Sequence, residues 1–120
     1  AKLRYFFCNS ATFNIVLLEE AEQFLGSLAN KAREKVTSNM RKVAGGGKDN
    51  KLFAKLDGAD DIWEFRTKYN GLEYRFLAFW DKNRNSLVVA THGFVKKRWT
   101  IPLKEIARAE ELRRMYYESE

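Results

Sequence analysis

The sequence predicts an α+β domain with the element order β-α-α-β-β-β-α, in which an antiparallel sheet carries an N-terminal two-helix hairpin on one face and a helix ends the chain. Three observations predict this class. Apolar residues recur at helical spacing through residues 16–44, the apolar period changes to two from Ile62 onward, and a helical pattern returns at Pro102. A length of 120 residues is typical of one domain, so residues 1–120 are predicted to form a single unit.

The N-terminal part is predicted to supply one strand and two helices. Residues Leu3 to Cys8 are rich in aromatic side chains and predict a strand, which a turn at residues 9–12 follows. The first helix has an apolar stripe formed by Leu17, Leu18, Ala21, Phe24, Leu25 and Leu28. The second helix, capped by Asn30, has a stripe formed by Ala32, Val36, Met40 and Val43. Gly45 to Gly47 are predicted to end that helix.

The middle of the chain is predicted to be an irregular connector, because residues 45–61 show neither period. Its glycines are not expected to form a phosphate-binding loop, since the spacing GxxxxGK[ST] is absent. Ile62 to Tyr69 then alternates as a strand does, and Asn70-Gly71 predicts a two-residue type I′ turn before the return strand. A third strand is predicted at residues 86–97, and Thr100 is the predicted cap of the last helix.

Counting residues through the two hairpins predicts which side chains share a face. The two-residue turn sets Arg66 opposite Arg75, and directly opposed like charges destabilise a sheet. A second loop of two or four residues would set Arg75 opposite His92, whereas an odd loop or a bulge would break this pairing. Arg66, Arg75 and His92 are therefore predicted to form a row on the face opposite the aromatic core pairs. The arginines there would favour the neutral histidine, unless Glu64 or a bound anion compensates.

Further residues at the same end of the sheet suit a site for a phosphate and a base. Guanidinium groups bind phosphate oxygens as a planar fork, and Phe94 is placed to stack on an unpaired base. Positive charge is added by Lys55, Lys96, Lys97 and Arg98. Each part also has a structural interpretation: a structural histidine, a basic run that protects a strand edge, and core positions for the aromatic residues. For Trp99 we predict packing in the core.

Composition limits the partners and the compartment. Lysine and arginine outnumber aspartate and glutamate by 22 to 16, and the net charge of +6 favours a nucleic acid, an acidic protein or simply solubility. A lone cysteine, Cys8, and one histidine in no ligand pattern predict no disulfide, no metal and no other cofactor. The apolar runs are too short to span a membrane and no signal peptide is evident, so we predict a cytoplasmic protein without a membrane partner.

Several motifs resemble those of the RelE/ParE superfamily of bacterial toxins, and within it the HigB-like, phage-derived branch. They are WEFR (Trp63–Arg66), YRFLAFW (Tyr74–Trp80), HGFVKKRWTIP (His92–Pro102) and FLGSLANKAREKV (Phe24–Val36), so the resemblance covers nearly the whole chain. It implies a RelE-like fold and a toxin of a type II toxin–antitoxin system. The implied partners are a cognate antitoxin, commonly a helix-turn-helix protein, and mRNA on the ribosome.

The resemblance also implies an activity and roles for residues. RelE and HigB members are endoribonucleases, called mRNA interferases, that inhibit translation without a metal: a ribose 2′-OH attacks the adjacent phosphate and leaves a cyclic phosphate and a 5′-OH. The implied catalytic residues are Arg66, Arg75, His92, Lys96 and Lys97, and the implied RNA-binding residues are Lys55, Lys68, Phe94 and Arg98. The two arginines would hold the scissile phosphate, and His92 or a lysine would be the base.

The resemblance does not decide which residue replaces a tyrosine common in RelE-type enzymes, and it does not decide between three possible functions. Many RelE-type enzymes have a tyrosine where this chain has Trp99, and Tyr116 or Tyr117 would replace it only if the last helix folds back. Two other functions also fit the resemblance. One is a ParE-like inhibitor of DNA gyrase, and the other is a non-enzymatic module that binds the antitoxin.

Overall fold

The protein has the predicted α+β fold, and its described residues form the three predicted helices but six strands, whereas the sequence predicts four. The structure, a computed structural model, describes residues 4–6 and 12–119. The strands are β1 (Arg4–Phe6), β2 (Asn14–Leu17), β3 (Phe53–Lys55), β4 (Trp63–Tyr69), β5 (Leu72–Trp80) and β6 (Leu87–Lys96), in the sheet order β1-β2-β6-β5-β4-β3. The helices are α1 (Glu19–Ser27), α2 (Asn30–Ala44) and α3 (Leu103–Glu118). Within these residues no helix has the length and apolar content that a membrane crossing requires.

The sheet is mixed, whereas the sequence predicts an antiparallel one. β2 runs parallel to β6, with Ile15 opposite Val88, and the other four strand pairs are antiparallel. The predicted helical position of Leu17 is wrong, because this residue lies in β2 and α1 begins only at Glu19. Ile15, Val16 and Leu17 are all buried, and such a continuous apolar run lacks the alternation that distinguishes a strand from a helix.

Other element boundaries follow the prediction more closely. β1 covers the middle of the strand predicted at Leu3 to Cys8, whose other residues, like residues 9–11 of the predicted turn, lie outside the described residues. α2 ends at the glycines as predicted, although its capping residue is Ala29 and Asn30 is its first residue. The predicted connector of residues 45–61 is wrong in part, because β3 lies within it and pairs with β4.

The helical hairpin of α1 and α2 covers one face of the sheet, as predicted. The predicted stripe of α2 is buried and consists of Ala32, Val36, Met40 and Val43. Together with Ala21 and Leu25 of α1, it packs against Phe65 and Phe76 of the sheet. This layer contains more buried apolar side chains than the cluster on the other face. Because burial of apolar surface contributes about 25 cal/mol per Å², it is the principal core of the fold.

α3 packs on the opposite face of the sheet. Its Ala109 lies in a second buried cluster with Ile62 and Leu77. Further along the helix, the ring of Tyr116 packs against Phe79 with centroids 5.5 Å apart. Because side chains alternate along a strand, Leu77 and Phe79 face α3 while Phe76 and Ala78 face the helical hairpin. The sheet is therefore covered on both faces.

α3 begins without a side-chain cap. The carbonyl of Pro102 accepts hydrogen bonds from the N–H groups of Glu105 and Ile106 at 3.0 and 3.4 Å. The predicted Thr100 cap is therefore wrong, because the proline, whose ring restricts φ, is itself the residue before the first helical turn. Thr100 is exposed and belongs to the loop of residues 97–102 between β6 and α3.

The first hairpin has the predicted register. Its turn residues Asn70 and Gly71 have φ values of 51° and 79°, and a type I′ turn requires positive φ at both positions. Arg66 consequently lies opposite Arg75, as the sequence predicts. Both arginines lie on the α3 face of the sheet, since they alternate with residues that face the helical hairpin.

The second hairpin differs from the predicted register. Trp80 lies opposite Val88, and the N–H of Asp81 donates to the carbonyl of Leu87 at 2.9 Å, so residues 82–86 form the loop. This loop has an odd length, whereas the prediction assumes two or four residues. Every pair next to the loop is therefore shifted by one residue from its predicted partner.

A β-bulge at Thr91 adds a second shift. A bulge inserts one unpaired residue into a strand and reverses the side on which the following side chains lie. His92 consequently pairs with Leu77 on the α3 face, and Arg75 lies opposite Phe94. The predicted pairing of Arg75 with His92 is therefore wrong. The bulge nevertheless keeps His92 and Phe94 on the same face of the sheet as the arginine.

Gly93 is needed for the close approach of α1 to β6. A β-carbon built at this position would overlap Cδ2 of Phe24 and lie 2.9 Å from Cε2 of Phe76. The rings of Phe24 and Phe76 pack edge to face, with centroids 5.4 Å apart. The glycine of the HGF motif therefore serves helix–sheet packing, which a side chain at this position would prevent.

Candidate functional site

A cleft of about 1010 Å³ opens on the α3 face of the sheet, next to the start of that helix. It lies between β4 and β5, the residues after β3, and the segment that leads from β6 into α3. The basic residues that line it are Lys55, Arg66, Arg75, Lys96, Arg98 and Lys104, and the acidic ones are Asp57 and Glu64. This excess of positive charge favours a polyanionic ligand.

Two other clefts of the described chain lack this excess. A cleft of about 990 Å³ between α1, β2 and α3 is lined by the acidic residues Glu19 and Glu20 and by the basic residues Arg84 and Arg108. A cleft of about 660 Å³ near the end of α3 is lined by four acidic and four basic residues. Of these three, the cleft beside the start of α3, hereafter the cationic cleft, is therefore the one whose lining favours an anion.

The buried carboxylate of Glu64 holds two arginines of the cationic cleft. Its Oε1 accepts a hydrogen bond from Nε of Arg66 at 2.6 Å and another from Nη1 of Arg75 at 3.1 Å. Glu64 is 2% exposed, so water screens these contacts little. The negative charge between the two guanidinium groups offsets the repulsion expected from directly opposed arginines.

Each arginine makes one further contact. Nη1 of Arg66 donates to the carbonyl of Asn50 at 2.9 Å, and Nη2 of Arg75 donates to Oε1 of Glu73. The hydrogen bond from Arg75 holds the pKa of the Glu73 carboxyl below its ordinary value. The side chain of Arg66 is 33% exposed and that of Arg75 is 8% exposed. Arg66 is therefore the guanidinium that a ligand in the cationic cleft reaches directly.

Two buried polar atoms of this ionic network lower the stability of the fold. Within the part of the chain that the structure describes, Oε2 of Glu64 and Nε of Arg75 are buried without a hydrogen-bond partner. An unsatisfied buried polar atom costs about 1–3 kcal/mol. Sequences tolerate such local conflicts mainly at functional sites, which adds to the case for this cleft.

The other predicted basic residues are distributed around the cationic cleft. Lys96 and Arg98 line it. Lys55 lines it as well, and its Nζ lies 3.0 Å from Oδ1 of Asp61, whose carboxyl pKa this hydrogen bond lowers. Two predicted residues are exposed but are not among the lining residues, namely Lys68 and Lys97. The structure thus brings together three of the predicted lysines and arginines with the central pair.

His92 is buried beneath α3 and does not line the cationic cleft. Its Nδ1 lies 2.9 Å from Oγ1 of Thr91, and its Nε2 lies 3.1 Å from Oε1 of Glu105. Burial lowers the pKa of His92 below the ordinary value of 6.5 and outweighs the hydrogen bond to the Glu105 carboxylate, which raises it. The ring is therefore neutral at pH 7. With both nitrogens engaged, it connects β6 to the first turn of α3.

The buried neutral histidine predicts a pH dependence of stability. Because the pKa of His92 is lower in the folded protein than in the unfolded chain, the unfolded chain gains the proton first as the pH falls below 6.5. Between about pH 7.5 and about pH 5.5, we expect the wild type to lose up to about 1.4 kcal/mol more unfolding free energy than His92→Gln. Urea unfolding at both pH values measures this difference.

The comparison isolates His92, because both proteins contain the same carboxylates. Glutamine keeps hydrogen-bonding groups beside Thr91 and Glu105, so the variant is expected to fold. If both proteins lose the same amount of unfolding free energy on acidification, the folded state does not hold His92 in its neutral form.

The two aromatic residues near the cationic cleft differ in exposure. Phe94 is half-buried and packs with Ile62 and Leu77 below α3, with its ring centroid 5.8 Å from that of His92. Trp99, which the sequence predicts to pack in the core, is 97% exposed. That prediction is wrong because β6 ends at residue 96, and the alternation of a strand no longer sets the direction of the side chains beyond it.

Tyr116 and Tyr117 lie at the far end of α3 from the cationic cleft. The hydroxyl of Tyr116 donates to Oδ2 of Asp81 at 2.6 Å, and the hydroxyl of Tyr117 accepts the N–H of Lys82 at 3.0 Å. They join the end of α3 to the second hairpin. No tyrosine is among the described residues that line the cationic cleft, so neither takes the place of Trp99 there.

Two residues that line the cationic cleft, Glu64 and Trp99, are not among the site residues that the sequence predicts. Glu64 precedes Arg66 by two residues in an alternating strand, so its position on the same face was predictable. The sequence indicates the exposure of Trp99 less clearly. The residue lies between a basic run and the proline that starts α3, and such a segment is typical of an exposed loop.

The protein is a small α+β domain with an open cationic cleft on one face of its sheet. Two arginines face each other there across a hairpin, and this arrangement is suited to bind a phosphate. Residues 23–114 match the family described as "Phage derived protein Gp49-like (DUF891)", and this segment includes every residue of the cationic cleft. The chain belongs to this family. Comparison with curated proteins gave no match.

The family confirms part of the predicted resemblance. It is a family of RelE/HigB-like toxins of toxin–antitoxin systems, which implies an antitoxin partner. The placement of this chain in the HigB branch stays a prediction, and so do the cleavage of mRNA, the ribosome as a partner and the roles of individual residues.

Proposed function

We propose that this protein is the toxin of a type II toxin–antitoxin system and acts as a ribosome-dependent mRNA endonuclease. The observation that carries the proposal is the pair Arg66 and Arg75, which share one carboxylate in a cleft lined by six basic residues. Membership in a family of RelE/HigB-like toxins supports it, and the matched segment contains the whole cationic cleft. The proposed reaction uses no metal and no other cofactor.

In the proposed reaction the ribose 2′-oxygen forms a bond to the adjacent phosphorus, and the bond between phosphorus and the 5′-oxygen breaks. The products are a cyclic phosphate and a 5′-OH, so the 2′-OH loses a proton to water in the open cleft and the 5′-oxygen gains one. Negative charge increases on the phosphate oxygens in the transition state. Arg66 would donate N–H groups to these oxygens, and Arg75 would add a fixed positive charge behind it.

The remaining predicted residues have proposed roles that follow from their positions. Lys96, in the lining of the cationic cleft, would donate the proton to the leaving 5′-oxygen. His92 would act through Glu105 by holding the start of α3, and Phe94 would support the cleft from the cluster below. The residues that would contact flanking phosphates or ribosomal RNA are Lys55, Lys68, Lys97 and Arg98. Such contacts make binding strongly dependent on salt.

Mapping the 5′ ends of cellular mRNA after brief induction of the protein tests this function. We expect new 5′ ends within coding regions, in phase with codons, because the A site of the ribosome presents mRNA one codon at a time. DNA damage without such ends would support the gyrase inhibitor instead. An absence of toxicity would support the non-enzymatic antitoxin-binding module. Either result would contradict the proposed activity.

The antitoxin is proposed to be a helix-turn-helix protein, as the resemblance implies. The family supports a partner of this kind in general terms, since it is a toxin–antitoxin family. Reading the open reading frame beside the gene tests the proposal directly, and co-purification of its product with the tagged toxin tests the interaction.

A further inference from the structure

Trp99 is the most exposed large apolar side chain among the described residues, at 97% of its full exposure. Burying an indole stabilises a folded chain, so leaving one in water forgoes that stabilisation. Aromatic side chains that combine a large apolar body with a polar edge are typical of contact surfaces. Because Trp99 lines the cationic cleft, we infer that its indole contacts the ligand of this cleft.

The loop that presents Trp99 is held at both ends. On one side β6 continues to Lys96, which pairs opposite Glu73. On the other side Pro102 starts α3, and Ile101 packs against the buried cluster below that helix. The indole is therefore presented by a short segment with fixed ends, which lowers the entropy lost when a ligand packs on it.

The surroundings of Trp99 favour a nucleic acid over a protein. Six basic and two acidic residues line the cleft, and Arg66, Arg98 and Lys104 are among the basic ones. A protein partner would need a wider apolar surface, whereas the large apolar side chains exposed here are Trp99 and Leu103. A positively charged groove with an aromatic ring beside it is the combination that binds single-stranded nucleic acids.

We propose that Trp99 is a base-stacking platform, on which an unpaired base of single-stranded RNA stacks while Arg66 binds a neighbouring phosphate. The inference rests on the proposed function for its ligand class, RNA, but not on cleavage of that RNA. Every base has a π face, so Trp99 sets affinity and position rather than sequence preference. The indole offers one N–H donor and no acceptor, so Trp99 binds substrate without transferring protons.

Fluorescence anisotropy at low salt tests the proposal, with a short single-stranded RNA that is 2′-O-methylated and therefore cannot be cleaved. Trp99→Ala is expected to weaken binding roughly 5- to 150-fold, the range for the loss of one base–aromatic stack. Trp99→Phe keeps a ring and should stay within about threefold of the wild type, because it still stacks. Trp99→Leu keeps apolar surface without a ring and should resemble the alanine variant.

Leu72→Ala is the matched control, because Leu72 is an exposed apolar residue outside the cationic cleft. It should bind the RNA as the wild type does. A series of probes with one abasic position each adds a double-mutant cycle. At one position the wild type should bind the abasic probe more weakly than the intact RNA, whereas Trp99→Ala should bind both equally.

Several results would overturn the platform. In the first, the wild type and Trp99→Ala bind the RNA equally well. In the second, Trp99→Leu binds it as tightly as the wild type does. In the third, the wild type does not bind the probe even at low salt. Loss of antitoxin affinity with unchanged RNA affinity in Trp99→Ala would identify Trp99 as a protein contact instead. Because Trp99 is exposed, the variants should melt as the wild type does, which thermal unfolding checks.

The two proposals fail in distinguishable ways. If RNA binding depends on Trp99 but induction produces no mRNA 5′ ends, the platform stands and the proposed activity is wrong. If induction produces ends in phase with codons but Trp99→Ala binds RNA as the wild type does, the activity stands and the platform is wrong.

Discussion

Replacing Arg66 by alanine is expected to lower the rate of mRNA cleavage by about 100- to 1000-fold, the usual effect of removing one positioned donor to a charged transition state. The fold should survive, because Arg66 is one-third exposed and Glu64 keeps its ion pair with Arg75. The measurement is the number of new mRNA 5′ ends per amount of toxin after a fixed induction time. Release from growth arrest is a second readout.

Lys35→Ala provides the control for this prediction. Lys35 is an exposed cation on α2, which packs on the other face of the sheet from the cationic cleft. The variant removes the same charge and should leave cleavage unchanged. If Arg66→Ala cleaves mRNA as fast as Lys35→Ala does, the cationic cleft is not the active site. Thermal unfolding of both variants separates a loss of activity from a loss of structure.

Replacing Glu64 by alanine is expected to lower the free energy of unfolding by up to about 3–5 kcal/mol, because it leaves the buried guanidinium of Arg75 with only the exposed carboxylate of Glu73 as an ionic partner. Glu64 is 2% exposed, so water screens its ion pairs with the two arginines little and their loss is costly. Urea unfolding followed by circular dichroism measures the change. Cleavage should also be lost, since Arg66 and Arg75 lose the group that positions them both.

Glu73→Ala is the control for the effect of burial. Glu73 also contacts Arg75, but its side chain is 41% exposed, and exposed ion pairs contribute only about 0–1 kcal/mol. Similar small losses in Glu64→Ala and Glu73→Ala would contradict the prediction. The double replacement Glu64→Leu with Arg75→Met removes both buried charges. It should recover most of the stability without recovering cleavage, which separates the two effects.

The first hairpin shows how much of the site local sequence predicts. Alternation from Ile62 to Tyr69 defines two faces, and the Asn70-Gly71 turn allows one loop length. The opposition of Arg66 and Arg75 follows from these two facts alone. The last two helices are predicted for the same kind of reason, since their periodicity and the glycines or proline at their ends are local signals.

The second hairpin shows where local signals end. Residues 82–86 contain no dipeptide that selects one loop length. The bulge at Thr91 depends on packing, because Thr91 is fully buried and its hydroxyl oxygen lies 3.2 Å from the carbonyl oxygen of Leu77. β2 is a similar case, since its apolar run becomes a strand only by pairing in parallel with β6, far along the chain.

By itself the sequence determined the α+β class, the helical hairpin, the order of β4, β5 and β6, and the opposed arginines, because these depend on periodicity and turn residues. Only the tertiary structure decided that Glu64 binds both arginines, that His92 lies buried beneath α3, and that Trp99 is exposed beside the cationic cleft. Each of these depends on how far one strand shifts against the next and on where α3 packs. Such long-range packing is not encoded in any short stretch of residues.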